Sequence, residues 1–250
     1  VNYKSRSFEI LLVPSEKLFK SRKGEQTRNM FNNIAGSYDF LNHLLSAGID
    51  ISWRKKAVKL LSPFKPQLIL DIATGTADVA IELLTLNPQK VVGVDIAEKM
   101  LEIAKKKIKH KNLDAKIELQ IADAANLPFK NDYFDAVTVA FGVRNFSDLE
   151  LGLKEMLRVL KPGGRAVILE FSKPKKFPVK QIYNFYFHGL LPAIGKIISN
   201  HNSAYSYLPD SVKSFPDGES FIKILKKTGY KSPDVILLNL GIASIYTGEK

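Results

Sequence analysis

The chain has 250 residues and no cysteine, which excludes disulfides, thiolate metal sites and a cysteine nucleophile. Hydrophobic residues make up 45% and charged residues 25%, as in a soluble protein with a single core, and no apolar run reaches the length of a membrane span. The net charge of +12 would suit nucleic acid or an anionic membrane, but much of it sits in Lys105, Lys106, Lys107, Lys109 and Lys111, which follow Met100, Leu101 and Ala104 on one amphipathic helix and read as a solvated face.

Residues 1 to about 25 mix charge with one apolar cluster and are expected to form a mobile arm or a lid. From Met30 to Leu61, Trp53, Ala57, Leu60 and Leu61 keep helical spacing, with Ser52 as N-cap and Pro63 as stop. Tyr38, Asp39, Asn42 and His43 lie among apolar residues just before it, either on a helical hairpin covering the sheet edge or on a wall of a substrate pocket.

Leu68 to Ile72 is a buried strand carrying one acid, Asp71, and it ends in the tight turn Thr74, Gly75, Thr76. Val79, Leu83 and Leu86 then mark an amphipathic helix whose free N-terminal N–H groups would face the strand end and cradle an anion or ligand. A second apolar run, Val91 to Val94, ends in Asp95, which could accept hydrogen bonds from both hydroxyls of a ribose or serve as a helix N-cap, with Ile96 beside it. Of the dinucleotide pattern G-x-G-x-x-G only Gly75 is present, flanked by Ala73 and Ala77, which argues against a pyrophosphate site.

Ile117 to Ala122 reads as a third strand ending at Asp123 and Ala124, where an acid and a backbone N–H could meet the base of a nucleoside or the acid could simply face solvent on a turn. Phe134 to Ala140 is a fourth, apolar enough to be central, and it runs into Phe141, Gly142, Val143, Arg144 and Asn145. Ligands of open parallel sheets bind beyond the carboxyl ends of the strands, so Arg144 and Asn145 are the leading catalytic candidates.

Leu149, Leu153, Met156, Leu157 and Leu160 give a helix begun by Asp148 and stopped at Pro162, Gly163 and Gly164, and Ala166 to Phe171 a fifth strand. Strand and helix have alternated to this point, which requires a doubly wound α/β sheet. From Ser172 to Gly218 the alternation gives way to an aromatic-rich stretch that reads as an inserted helical cap. Phe221, Ile224 and Leu225 form one more helix closed by Gly229, and Val235 to Leu240 with Ile242 to Thr247 form an antiparallel end to the sheet. The chain thus divides, within one domain, into an arm and helical cap (1–63), a core (64–171), an insertion (172–218) and a C-terminal helix and hairpin (219–250). The histidines, His43, His110, His188 and His201, are too scattered for a metal site.

The form D-x-A-x-G-T followed by a strand-terminal acid resembles the S-adenosylmethionine motif of seven-stranded methyltransferases. FGVRNFSDLELGLKEMLRVLKPGGRAVILEFSKP, from Phe141 to Pro174, is similar to the ubiquinone and menaquinone biosynthesis C-methyltransferases, as are YDFLNHLLSAGIDISWRKKAV and YSYLPDSVKSFPDGESFIKILKKTGY. The likeness runs from about Met30 to the C-terminus. It implies a class I, Rossmann-like methyltransferase fold with S-adenosylmethionine as cofactor. The family's contacts fall on Thr74, Asp95, Asp123 and Ala124, and Asp71, Gly75 and Ile96 complete the expected set. This chain departs from the family pattern at Ala77, where glycine is usual, at Asp123, where asparagine is common, and at Ala140, where serine is frequent.

The activity so implied is methyl transfer to a ring carbon of a prenylated hydroquinone, demethylmenaquinol first. Arg144 would stabilise the developing phenolate or else serve structurally by pairing with a helix end, Asn145 would orient the hydroxyl or a water that removes its proton, and Tyr38, Asp39 and His43 would be weaker candidates for the base. The aromatic segment Phe177 to Ile198, flanked by Lys173, Lys175, Lys176 and Lys180, would both line a tail channel and touch the inner face of a membrane from the cytoplasm, or else be ordinary core packing. FGVRN stands where an amino-directed nucleic-acid methyltransferase would carry N/D-P-P-Y/F, so no nucleic-acid partner is expected. A methyltransferase for another small molecule and a non-catalytic S-adenosylmethionine-binding regulator stay open, as does a homodimer.

Overall fold

The computed structural model describes residues 22–38, 46, 48–185 and 202–250. In chain order the elements are α1 (Arg22–Ile34), α2 (Ile49–Lys59), β1 (Leu68–Ile72), α3 (Asp78–Leu83), β2 (Lys90–Asp95), α4 (Glu98–His110), β3 (Ile117–Ile121), β4 (Phe134–Ala140), α5 (Leu149–Val159), β5 (Leu160–Phe171), α6 (Val179–Phe185), α7 (Asn202–Ser214), α8 (Glu219–Thr228), β6 (Lys231–Leu238) and β7 (Ala243–Glu249).

The sheet order is β3-β2-β1-β4-β5-β7-β6, with β1 to β5 parallel and β7 antiparallel to both its neighbours. The central strands are apolar on both faces because both are covered. Leu70, Val92, Val137 and Ile168 pack toward α5 and α8, against Leu153, Met156, Phe221 and Leu225. Their neighbours Ile69, Val91, Ala136 and Val167 pack toward α2 and α4, against Trp53, Ala57, Ala104 and Ile108. Each fully buried aliphatic or aromatic side chain stabilises the fold by roughly 1.5–3 kcal/mol.

Strand order reverses between β1 and β4, which opens a crevice at their carboxyl ends. In register, Ile72 lies beside Val94 on one side and Val139 on the other, so the loops that follow β1, β2 and β4 leave the sheet at one level.

Four local expectations need correction. The helix carrying Trp53 begins at Ile49 after Gly48 (φ 76°), so Ser52 lies inside it; the buried acid of the first turn, Asp50, accepts from the Ser46 hydroxyl and pairs with Arg54 at 2.6 Å, which anchors that earlier start. The helix after the Gly75 turn is only the six residues of α3 before it tightens into a 3-10 turn, and its first acid, Asp78, is held by Lys107 at 2.6 Å and Arg54 at 3.4 Å, so it offers no long-helix anion cradle. Strand β5 starts at Leu160, paired with Phe134, and Lys161 to Gly164 bulge out before pairing resumes at Arg165. The strand expected to end at Leu240 ends at Leu238, because Asn239, Leu240 and Gly241 all turn left-handed and the Asn239 carboxamide is pinned by the Trp53 indole at 2.6 Å.

Asp148 does cap α5, accepting from the Leu151 N–H at 3.0 Å, and Gly229 (φ 104°) closes α8. The arm before Arg22, Asp39, His43 and the aromatic stretch beyond Phe185 up to Ile198 lie outside the described residues. Among the described residues no helix is long and apolar enough to cross a membrane, and no cluster of His, Asp or Glu has the makings of a metal site.

Candidate active site

A cleft that opens to solvent lies beyond the carboxyl ends of β1, β2, β3 and β4, roofed by α1. Its first half is made by the turn after β1. Ala73, Gly75 and Ala77 have φ of 54°, 56° and 69°, so the backbone is left-handed at every second residue. For the two alanines this conformation costs roughly 1–2 kcal/mol each. The turn persists because its polar groups are tied down. The Thr74 hydroxyl donates to Asp71 at 2.6 Å, the Thr74 N–H to the Val94 carbonyl at 3.0 Å, and the Gly75 N–H to Asp95 at 2.8 Å. Gly93 on β2 makes the room, since a Cβ there would stand 2.9 Å from the Thr74 hydroxyl oxygen.

Asp71 was expected to touch the cofactor, but it points into the sheet between Gly93 and Thr138, where the hydroxyls of Thr74 and Thr138 (2.7 Å) donate to it. Burial pushes its carboxyl up to about 6 against the pull of those two hydrogen bonds, and the nearby Asp95 pushes the same way. Asp71 and Thr74 shape the turn from behind, and Gly75 presents it to the cavity.

Asp95 and Ile96 do line the cavity. One Asp95 oxygen accepts from Gly75 and the other from the Ala97 N–H at 2.9 Å, which leaves further lone pairs for a ligand. Burial raises its carboxyl above the usual range, opposed by those backbone donors. Asp123 and Ala124 stand next to it on the turn after β3. Asp123 accepts from the Ala125 N–H at 2.9 Å, while the N–H of the buried Ala124 meets no acceptor among the described residues. A buried N–H of this kind asks for a partner from a ligand.

The second half of the cavity follows β4. Gly142 lies against Ala73, and a Cβ on it would come within 2.5 Å of the Ala73 Cβ, so the two loops meet at this glycine. Asn145, buried in the turn Val143–Asn145, lines the cavity and accepts at Oδ1 from the Tyr207 hydroxyl of α7 at 2.8 Å.

Arg144 does not face the cavity. Its Nη1 donates to Glu170 Oε1 at 2.5 Å and to the Phe141 carbonyl at 2.7 Å, and its Nε to the Ser211 hydroxyl at 3.2 Å. Glu170 is fully buried at the end of β5, and a carboxylate so placed requires a cation beside it. The expected phenolate-stabilising arginine is therefore spent on a core ion pair, with its guanidinium over the Phe171 ring at 5.5 Å.

Helix α1 and the residues just after it form the roof. Thr27, Phe31 and Tyr38 face the cavity, and Phe31 meets Tyr38 edge to face at 5.9 Å. Helix α1 is tied at one end by the Lys23 ammonium on the Phe146 carbonyl at 2.7 Å and at the other by Asn32 on Glu98 at 2.9 Å. Thr27, Thr138, Glu170 and Tyr207 escaped the sequence reading. Glu170, an acid inside an apolar strand, was the one that carried a visible signal.

The model of the ubiE/COQ5 methyltransferase family matches residues 19–250. The chain belongs to this family. It is 47% identical to a protein named demethylmenaquinone methyltransferase of Bacteroides fragilis over 230 residues, 92% of this chain and 94% of that protein. A ubiquinone/menaquinone biosynthesis C-methyltransferase UbiE of Geotalea daltonii is 48% identical over 236 residues, 93% of this chain and all of the relative. The fold is shared with a solved SAM-dependent methyltransferase of Thermotoga maritima (TM-score 0.63, 19% identity, covering 90% of this chain and 99% of that one). As a ubiE/COQ5 methyltransferase the chain uses S-adenosylmethionine. The unmet Ala124 N–H, the acids Asp95 and Asp123 and the absence of a phosphate-binding turn fit a nucleoside bearing a cationic tail.

Proposed function

We propose that the protein C-methylates the ring of a prenylated hydroquinone, with demethylmenaquinol as its first substrate. The observation that carries this reading is the near-half identity to demethylmenaquinone methyltransferase across 92% of the chain, which takes in both halves of the cavity.

When bound, S-adenosylmethionine supplies a methyl group on a positively charged sulfur, open to attack by an electron-rich carbon. The residues then have separable tasks. Asp95, Asp123 and Ala124 hold the nucleoside. Phe31, Phe141 and Phe146 wall the cavity with apolar surface and keep water from the reacting carbon. Alignment of two bound substrates can supply roughly 7–11 kcal/mol of the barrier in model reactions. A quinol carbon becomes nucleophilic as its hydroxyl proton leaves, so a donor to that oxygen favours the reactive form. Asn145 is the donor in this reading, Arg144 places the loop that carries it, and Tyr38 and Asp39 are proposed as the groups that take the proton.

Methyl transfer from labelled S-adenosylmethionine to demethylmenaquinol and to the corresponding demethylated benzoquinol, under reducing conditions, tests the reading. Product from either supports quinol C-methylation and their ratio names the ring. Tight cofactor binding with neither product would overturn it.

A membrane contact is proposed on a separate observation. Phe177 and Phe185 are 81% and 73% exposed, beside Lys175, Lys176 and Lys180. Replacing both aromatics by serine should weaken sedimentation with anionic liposomes; unchanged sedimentation would remove this face as the contact.

A further inference from the structure

Tyr207 lies in the helical insertion, 62 residues beyond Asn145, yet its hydroxyl meets the side chain that lines the cavity. A carboxamide has one acceptor atom and one donor group, which diverge from the same trigonal carbon. With Oδ1 of Asn145 accepting from Tyr207, the end left for a ligand is the Nδ2 amide. The Tyr207 oxygen also shares a side-chain hydrogen bond with Thr27 of the roof helix; its one proton already goes to Asn145, so the threonine hydroxyl is the donor. The chain of donors therefore runs one way, from Thr27 through Tyr207 to Asn145, and such chains polarise each other.

The placement of Tyr207 is itself secured. Ser211, one turn further along α7, accepts from Arg144 Nε, so the adjacent residues Arg144 and Asn145 grip the helix at two points one turn apart. Burial keeps the Tyr207 hydroxyl protonated, outweighing the pull of Arg144 and Thr27 toward the anion, so it stays a donor across the working pH range.

We infer that Tyr207 is a positioning residue: its hydroxyl fixes the Asn145 amide with Nδ2 toward the ring oxygen that becomes anionic, and through Thr27 it makes that orientation depend on α1 being closed over the cavity. The inference rests on the quinol reading above, since it needs a substrate oxygen that gains charge.

Two measurements test it. The first is the pH profile of kcat for quinol methylation. Tyr207→Phe keeps the ring and removes the donor, and it should lower kcat roughly tenfold, below the 10²–10³ that follows outright loss of an oxyanion donor. Its rising limb should move to higher pH while KM for S-adenosylmethionine stays put. Thr27→Val should move the limb the same way by less, and Thr27→Ser should restore it. The second needs no turnover: the pKa of 2-naphthol bound in the cavity, read by absorbance in the presence of S-adenosylhomocysteine, should be lower than in water and rise on Tyr207→Phe. An unmoved profile and an unmoved naphthol pKa in a folded Tyr207→Phe protein would overturn the inference, even if its rate had dropped. Absence of methyl transfer to any quinol by the unmodified protein would strike the substrate reading instead, and the naphthol titration would still decide the role of Tyr207.

Discussion

The two halves of the cavity are held together over very different reaches of chain. Under β1, β2 and β3, Thr74 bonds Asp71 three residues away, Gly75 bonds Asp95 twenty away, and Ala97 and Ala125 each bond an acid two residues back. Under β4 and β5, Arg144 meets Glu170 across 26 residues, Asn145 meets Tyr207 across 62, and Lys23 meets Phe146 across 123. The cofactor half is assembled from successive strand ends and needs little beyond the sheet itself. The other half also draws on α1 and α7, which reach it from far away in the chain.

If that contrast is right, damage to the second half should spread furthest. Arg144→Ala leaves Glu170 buried without its cation and should destabilise the protein by about 3–5 kcal/mol in chemical denaturation, with part of the loss recovered in Arg144→Ala/Glu170→Leu. A loss as large in the double variant as in the single one would mean that the pair matters for packing and not for charge.

In the cofactor half the largest effect should be one of pH. Asp71 has a native value near 6 against an ordinary 3.8, so proton binding favours the folded state: the advantage is complete below about pH 4 and is lost as pH rises through 6. Asp71→Asn, which carries no charge to bury, should therefore gain on the unmodified protein by up to about 3 kcal/mol between pH 4 and 7, seen as a widening gap in Tm. A gap that narrows with rising pH would show that the hydroxyls of Thr74 and Thr138 more than offset burial.

At the seam, Gly142→Ala should cost roughly 1–3 kcal/mol through the clash with Ala73, and Ala73→Gly in the same chain should relieve it. Gly142 itself has φ −114°, which alanine adopts freely, so contact and not backbone strain is under test. The smallest effect belongs to ligand binding. S-adenosylmethionine should bind more tightly as pH rises and the Asp95 carboxyl, held above its usual range by burial, ionises, and S-adenosylhomocysteine, which lacks the sulfonium charge, should respond less in the same calorimetric titration.

What could be read from residues alone follows the same division. Strands β1 to β4 were legible to within a residue or so, because an apolar run covered on both faces is a local signal, and so were Asp95, Asp123 and Ala124, which sit where such runs stop. Asp71 and Thr74 were picked out by the same motif, but their bond to each other and the Thr138 hydroxyl behind them were not, since a turn's residues do not disclose which of them face inward. Ser52 misled because several polar residues precede the Trp53 helix, and the choice among them was made by the buried pairing of Asp50 with Arg54.

By itself the sequence determined the doubly wound sheet, the family and the placing of acids at the strand ends, since periodicity and strand-end acids act within one βα unit at a time. Only the tertiary structure decided that Arg144 belongs to Glu170, that Tyr207 and Thr27 belong to Asn145, and that α1 is the roof. The physical reason is burial. An acid such as Glu170 takes whichever cation the packing brings within reach, and a carboxamide turns toward whichever hydroxyl arrives, neither of which is written in the residues on either side.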